Sequence, residues 1–383
     1  MPADSENIGS GSGGGLPKYQ QVYGELARGI RTGRWKHGQK LPSEAELVRQ
    51  FGASRITVGR AVRELQQAGL VERRAGSGTY VRSARSAGAL SFGLLIPELG
   101  ETEILERICQ GMMASPRARA HALLWGSLDS RDGTKEERAW EQCRRYLDRK
   151  VAGVFFAPVE HTPASHAVNR RILAALDAAA VPVVLLDRAA VPYPERGTHD
   201  RVGLDNRRAG FVVTDHLLAH GARRVAFLAV PYSASTVDER EAGYREALHA
   251  RGVAPERGWA GRLDPADGAA VRAFLDAARP DGIVCANDGT AARLMRALAG
   301  LGVRIPDDVR LVGIDDVEYA ALLPSPLTTL RQPTRQVGAV ALGAMLDRIA
   351  QPDLPPRDIL LHGALVVRES CGSTPCALAA AAD

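Results

Sequence analysis

Residues 41–69 read LPSEAELVRQFGASRITVGRAVRELQQAG, and two helices joined through a glycine-containing turn are legible in them. Ser43 stands three residues before Glu46, the spacing at which a hydroxyl caps a first turn and the glutamate reaches back to the cap amide. Glu44 and Glu46 also place negative charge at the positive end of the helix dipole. That helix should stop at Gly52, and Ser54 should open the next. In the second helix Val58, Ala61, Val62 and Leu65 share one face, while Ile56, Arg60, Arg63 and Gln67 lie on the opposite one. A short helix carrying outward arginines after such a turn is the helix-turn-helix arrangement that lays its second helix in a major groove.

The flanks agree with this reading. Upstream, Val22, Leu26 and Ile30 recur every four residues between Lys18 and Thr32, which predicts one amphipathic helix ending before Gly33. Downstream, LVERR (70–74), AGSG (75–78) and TYVR (79–82) predict a β-hairpin whose glycines suit a tight turn. A hairpin beside a recognition helix is a wing. Its Gly76-Ser77-Gly78 tip is small enough to approach a minor groove, with Arg73 and Arg74 placed for phosphates. Between Leu16 and Arg85 there are fourteen Lys/Arg against five Glu, a net +9, whereas the whole chain is only +5. Basic charge is thus confined to one compact segment, which implies a polyanionic partner for that segment alone.

This stretch, 16–82, resembles the gluconate-repressor (GntR) family of winged helix-turn-helix domains. The resemblance is carried by PKYQQV, GQKLPSEAELVRQFGASRITV, LQQAGLVERR and GSGTYV. It implies contacts to operator DNA from Ser54, Arg55 and Thr57 at the start of the recognition helix and from Gly76 at the wing tip. Ser43, Arg60, Arg63, Arg73 and Arg74 complete the DNA-facing candidates. One departure is that Gly59, followed by Arg60, stands where many members have an arginine after the TV pair.

With 383 residues the chain is long enough for two or three domains, and its 45% apolar content supports a sizeable core. No run of eighteen or more apolar residues occurs, and the start is polar, so the expectation is a cytoplasmic protein with no membrane partner. Residues 1–15, rich in Gly and Ser, should form a disordered tail. The five cysteines, Cys109, Cys143, Cys285, Cys371 and Cys376, are odd in number and scattered. They contain no C-x-x-C pair, so reduced thiols are expected and no disulfide framework or zinc site.

After a linker at 83–90, apolar runs alternate with helix-length amphipathic stretches. The runs are LSFGLLIP, HALLWGS, VAGVFFAP, VPVVLLD, RRVAFLAV, GIVCAND and VRLVGID. Continuous rather than alternating hydrophobicity marks strands buried on both faces, hence parallel sheets covered by helices in an α/β fold. Their number exceeds one ordinary doubly wound sheet, which predicts two lobes. The expected division gives lobe 1 approximately 91–189 and 319–345, lobe 2 approximately 190–318 and 346–370, and a tail at 371–383. Ligands in such folds bind beyond the carboxyl ends of the strands. The polar residues there are Glu98 and Glu101, Asp187-Arg188, Asp205-Asn206, Asn287-Asp288 and Asp315-Asp316. Carboxylates and arginines can take several hydroxyls of a small polar ligand bidentately, which suits a sugar.

The body, about 90–370, resembles the lactose-repressor (LacI/GalR) effector domain, itself similar to periplasmic sugar-binding proteins. The phrases that carry it include VPVVLLDR, VGLDNRRAG, STVDEREAGYREAL, PDGIVCANDGTA, GVRIPDDVRLVGIDDVEYA and PLTTLRQP. The resemblance implies that Arg240 and Asp288 bind effector hydroxyls. Arg188, Asp205, Asp264, Glu98 and Glu101 are further effector-binding candidates, although aspartates at strand ends also cap helices. The family often stacks an aromatic ring on the sugar after the first strand; LGETEIL supplies none. A winged helix of the first family on an effector domain of the second resembles the arabinose-repressor subfamily. That implies a homodimeric repressor of double-stranded operator DNA, controlled by a sugar-like effector between two lobes.

The alternative is a cytoplasmic α/β enzyme acting on a sugar or related metabolite. Against it, the chain has no G-x-S-x-G elbow, no G-x-x-x-x-G-K-[ST] phosphate loop and no H-E-x-x-H pair. His161 and His166 lie close together, as a solvent loop explains. No catalytic residue, metal or cofactor is expected.

Overall fold

The computed structural model describes residues 17–31, 34–36, 38–67, 70–74, 77–81, 89–97, 103–125 and 133–373. The expected tail at 1–15, most of the linker at 83–90, Gly76, Glu98, Glu101 and Cys376 lie outside them. The chain divides between Ala89 and Leu90 into two compact units.

In the first unit, α1 (Lys18–Arg31), α2 (Glu44–Phe51) and α3 (Arg55–Gln67) precede strands β1 (Val71–Arg74) and β2 (Gly78–Val81). The predicted apolar faces meet: Val22, Leu26, Leu47, Val58, Ala61, Val62 and Leu65 are all buried in one core with Val71 and Val81. The capping box forms as read, with the Ser43 amide donating to Glu46 Oε2 at 2.7 Å and the Glu46 amide to Ser43 Oγ at 3.3 Å. Gly52 ends α2 in the left-handed region, φ 55°, where a side chain would be strained. β1 and β2 pair antiparallel, Val71 opposite Val81 and Arg74 opposite Gly78, and a bridge from Lys40 to Tyr80 adds a third line of pairing.

The second unit contains two six-stranded sheets. The chain first runs through β3 (Ser91–Leu95), α4 (Glu103–Ala114), β4 (Ala122–Trp125), α5 (Lys135–Asp148), β5 (Gly153–Phe156), α6 (Ser165–Ala178), β6 (Val183–Leu186) and β7 (Asp200–Leu204). It continues through α7 (Asn206–Ala219), β8 (Val225–Ala229), α8 (Ser235–Ala250), β9 (Ala260–Arg262), α9 (Gly268–Ala278), β10 (Gly282–Cys285), α10 (Asp288–Gly300), β11 (Arg310–Asp315) and β12 (Thr328–Arg331). It closes with α11 (Thr334–Ala350), β13 (Asp358–Leu361) and β14 (Ala364–Val366). The first sheet has the order β13-β7-β6-β5-β3-β4, and the second β14-β12-β11-β10-β8-β9. All pairings are parallel except β12 with β14.

Alternate strand residues feed opposite layers, as continuous apolar runs require. Phe92, Leu94, Phe155 and Val184 pack under α4 and α11. Leu95, Val154, Phe156 and Val183 pack under α5 and α6. Helices α7 and α8 cross closely enough that a Cβ on Gly210 would overlap the Arg240 carbonyl, and one on Gly243 the Arg207 carbonyl. This contact fixes α8, which carries Arg240.

The lobe boundaries differ from those expected. β7 pairs with β6, and its buried Asp200 is held by Arg348 of α11 at 2.9 Å and by Arg357 at 3.0 Å, so the first lobe extends to residue 204 rather than 189. β12 belongs to the second sheet although it falls in 319–345, and β13 belongs to the first although it falls in 346–370. The chain therefore passes between lobes at 204–206, 331–334 and 361–364. The last passage takes only His362 and Gly363, where any Cβ at Gly363 would meet the Leu330 side chain. Cys371, expected in a tail, is fully buried in the core of the second lobe.

Candidate functional site

In the first unit, the start of α3 is organised by hydroxyls. Ser54 Oγ accepts from the Thr57 amide at 3.2 Å and lies 2.8 Å from Thr57 Oγ1, so both side chains serve the helix end. Ser43 is similarly engaged in its cap. Arg73 pairs with Glu44 at 2.9 Å, tying the wing to α2. Arg74 pairs with Glu72 at 2.6 Å and covers the Tyr80 ring. Arg60 lies 3.8 Å over the Tyr19 ring and 3.3 Å from Glu64. Arg55 and Arg63 are exposed and have no ion pair among the described residues. The sequence-based list omitted one exposed neighbour, Ile56.

In the second unit, polar residues from both lobes converge beyond the strand ends. Arg240, 4% exposed, donates Nε to Asn206 Oδ1 at 2.8 Å and an Nη to the Ala286 carbonyl at 2.6 Å. Its remaining Nη stands 3.7 Å from Asp315. Asp315, 15% exposed at its side chain, also accepts from Gln332 at 2.7 Å. From the first lobe come Asp187, Arg188 and Glu160. Arg188 and Glu160 form a buried ion pair. Asp187 is 7% exposed, and its Oδ1 accepts no hydrogen bond among the described residues. Asp187, Asp315 and Asp316 have φ of 66°, 136° and 55°, positive values at non-glycine residues. Such conformations cost energy and are retained where surrounding packing imposes them, often at sites.

Asp288 is fully buried, and both its oxygens are used within its own lobe. Thr329 Oγ1 donates to one at 2.6 Å and the Val317 amide to the other at 3.1 Å. It thereby fixes the turn that presents Asp315. Asp205 caps α7 through the Arg208 amide at 3.0 Å, at the first passage between lobes. Asp264, 61% exposed, accepts from the Ala266 amide at 3.0 Å in a local turn and shares no hydrogen bond with the cluster. Asp205 thus serves as a helix cap, whereas Asp264 serves its local turn and the following helix is capped by Asp267. Glu160, Asp187, Asp315 and Gln332 enter the cluster although they were not among the predicted site residues. Asp187 and Asp315 are visible as strand-end polar residues; Glu160 is not, because it arrives from a loop.

Several bonds join the lobes beside the cluster. The Ala234 amide donates to Glu160 Oε2 at 2.8 Å, the His161 amide to the Tyr232 carbonyl at 2.7 Å, and the Ala189 amide to Ser235 Oγ at 3.0 Å. Arg201 bridges from β7 to Glu239 of α8 at 2.6 Å. On another side the Glu318 amide donates to Glu103 at 3.1 Å.

Charge in this region is unevenly settled. Burial raises the Glu160 pKa, but Arg188, His161, the Ala234 amide and Arg240 outweigh it and hold the carboxyl below its usual range. Burial pushes Asp315 up to about 7, against Arg240, with the Asp288 charge adding to the rise. Asp288 rises in the same direction, again through burial. A carboxyl whose folded pKa exceeds its unfolded value stabilises the fold at low pH, and that contribution is lost as pH rises through the folded value. The contribution of Asp315 to the thermal midpoint of ligand-free protein should therefore fall between about pH 4 and 7, the span between an ordinary aspartate and Asp315. Asp315→Asn should flatten most of that fall in a thermal-shift titration; an unaltered slope would assign it to other groups.

A basic winged helix-turn-helix and a two-lobed parallel α/β body in one chain define a class, the DNA-binding transcription regulators with a periplasmic-binding-protein-like domain. Family models agree: residues 18–81 match bacterial regulatory proteins of the gntR family, and 214–371 match the periplasmic binding protein-like domain. The chain is 28% identical over 372 residues to the arabinose metabolism transcriptional repressor of Geobacillus stearothermophilus, covering 93% of this chain and 98% of that protein. It is 30% identical over 194 residues to the transcriptional repressor PurR of Vibrio campbellii, covering 50% of this chain and 57% of that protein. Among solved structures, the transcriptional regulator CelR in complex with cellobiose is similar at a TM-score of 0.61 and 27% identity, over 83% of this chain and 91% of that one. The transcription regulator GntR of Chromobacterium violaceum is similar at 0.58 and 26%, over 74% and 100%. Among the described residues, no helix is long and apolar enough to cross a membrane.

Proposed function

We propose that this chain is a cytoplasmic, homodimeric transcription repressor whose hold on operator DNA is set by a sugar-like effector bound between the lobes of the body. The observation that carries this reading is the convergence of Asp187 and Arg188 from one lobe with Arg240 and Asp315 from the other. A hydroxyl-rich ligand meeting both sets favours the closed arrangement by its differential affinity alone. The arabinose-metabolism repressor and the cellobiose-bound regulator support a sugar as effector and repression as the output. The cleft is read as a receptor rather than an active site because the similar proteins are transcription regulators.

Two recognition helices of a dimer would occupy successive major grooves of a near-palindromic operator. Affinity should fall steeply with salt, because arginines displace counterions from phosphates. Arg55→Ala should cost about 1–3 kcal/mol if its guanidinium takes a base bidentately. Unchanged affinity in fluorescence anisotropy would remove Arg55 from the reading set. The whole reading is tested by a thermal-shift panel of arabinose, cellobiose, other mono- and disaccharides, sugar acids and sugar phosphates, followed by operator binding with each hit. A panel without hits, or hits that leave operator affinity unchanged, would end it.

A further inference from the structure

Ile56 is 81% exposed, the one large apolar side chain so exposed among the described residues of the first unit. It sits in the first turn of α3, the part of a recognition helix that reaches base edges. Its polar neighbours are committed elsewhere. The Ser54 and Thr57 hydroxyls hold each other and the helix end. Arg60, one turn further on the same face, is drawn back over the Tyr19 ring and toward Glu64. The side chains left projecting at this end of the helix are Arg55 and Ile56, with Arg63 farther along. An isoleucine this exposed gains little burial from folding, so its apolar surface is available to be covered by a partner. In a basic module its complement is an apolar group lying among phosphates and base edges. In the major groove of unmodified DNA that group is the 5-methyl of thymine.

We infer that Ile56 is a specificity-determining residue that packs on a thymine methyl in each operator half-site. The inference rests on the DNA-binding reading above and adds to it the identity of one base. The test uses the full chain and duplexes it selects from a randomised pool. Each thymine of the selected half-sites is replaced in turn by uracil, which deletes only the methyl group. At one thymine per half-site the unaltered protein should lose about three- to fivefold in affinity, the scale of leaving one methyl unburied. Ile56→Ala should bind the thymine and uracil duplexes equally, whereas Ile56→Val should keep most of the difference. Because the side chain is exposed, both variants should melt as the unaltered protein does. Equal affinity for uracil at every position, or an Ile56→Ala variant that still distinguishes the two bases, would overturn the inference while leaving DNA binding intact. A pool yielding no bound duplex would overturn the DNA-binding reading itself, and this inference with it.

Discussion

Asp288→Ala should destabilise the second unit by about 3–5 kcal/mol, since it strands a buried hydroxyl and a buried amide at once. The Thr329 hydroxyl and the Val317 amide both end on this carboxylate, in a site with no exposure to water. Neither donor has solvent to turn to. The turn through Asp315 and Asp316 would lose its anchor, so any loss of effector response would follow from a displaced Asp315. Asp288→Asn keeps the shape and one acceptor and should cost clearly less. Thermal or urea denaturation of the two variants separates these cases. A midpoint for Asp288→Ala equal to that of the parent would show that the turn holds itself.

Arg240→Ala should remove most effector affinity, roughly a hundredfold, while leaving operator binding intact. The guanidinium is oriented by Asn206 and by the Ala286 carbonyl, and its third donor faces Asp315. Charge-assisted bonds of this kind contribute about 1.5–3 kcal/mol each. Deletion would also leave Asp315 without its compensating cation, so its proton should be held to still higher pH. Lysine should not rescue, because an ammonium cannot reproduce a planar fork held at three points. Calorimetry with whichever sugar binds the parent supplies the measurement. Full affinity in Arg240→Ala would place the receptor site elsewhere.

Features that depend on near neighbours in the chain were legible in the sequence. Ser43 with Glu46, Gly52 and the spacing of Val22, Leu26 and Ile30 each state a local geometry, and each is found as read. Buried strands were also visible, because a parallel sheet covered on both faces needs uninterrupted apolar runs. Membership of a sheet was not visible. β7 pairs with the preceding β6 and β12 with the preceding β11, whereas β13 reaches far back to β7, and a short run reads the same whichever sheet receives it. β9, with its exposed Ala260 and Arg262, carried no strand signal at all. The same limit governed the cleft. Asp264 and Asp187 both follow strands, yet one folds back on its own turn and the other keeps a buried oxygen that meets no donor among the described residues. Which of the two occurs is decided by residues far away in the chain.

The stretch from Leu361 to Ala364 ties an edge of one sheet to an edge of the other. From Leu361 to Ala364 the chain spans at most about 11 Å, which rules out sliding one half far past its fellow. What remains is a swing about that corner, like a door on a short pin. Displacement then grows with distance from the pin. The Glu160–Ala234 bond follows β5 and β8, three strands from the corner in one sheet and four in the other. A pair of spectroscopic labels there would register an occupied receptor most strongly, and a pair flanking His362 would stay nearly silent.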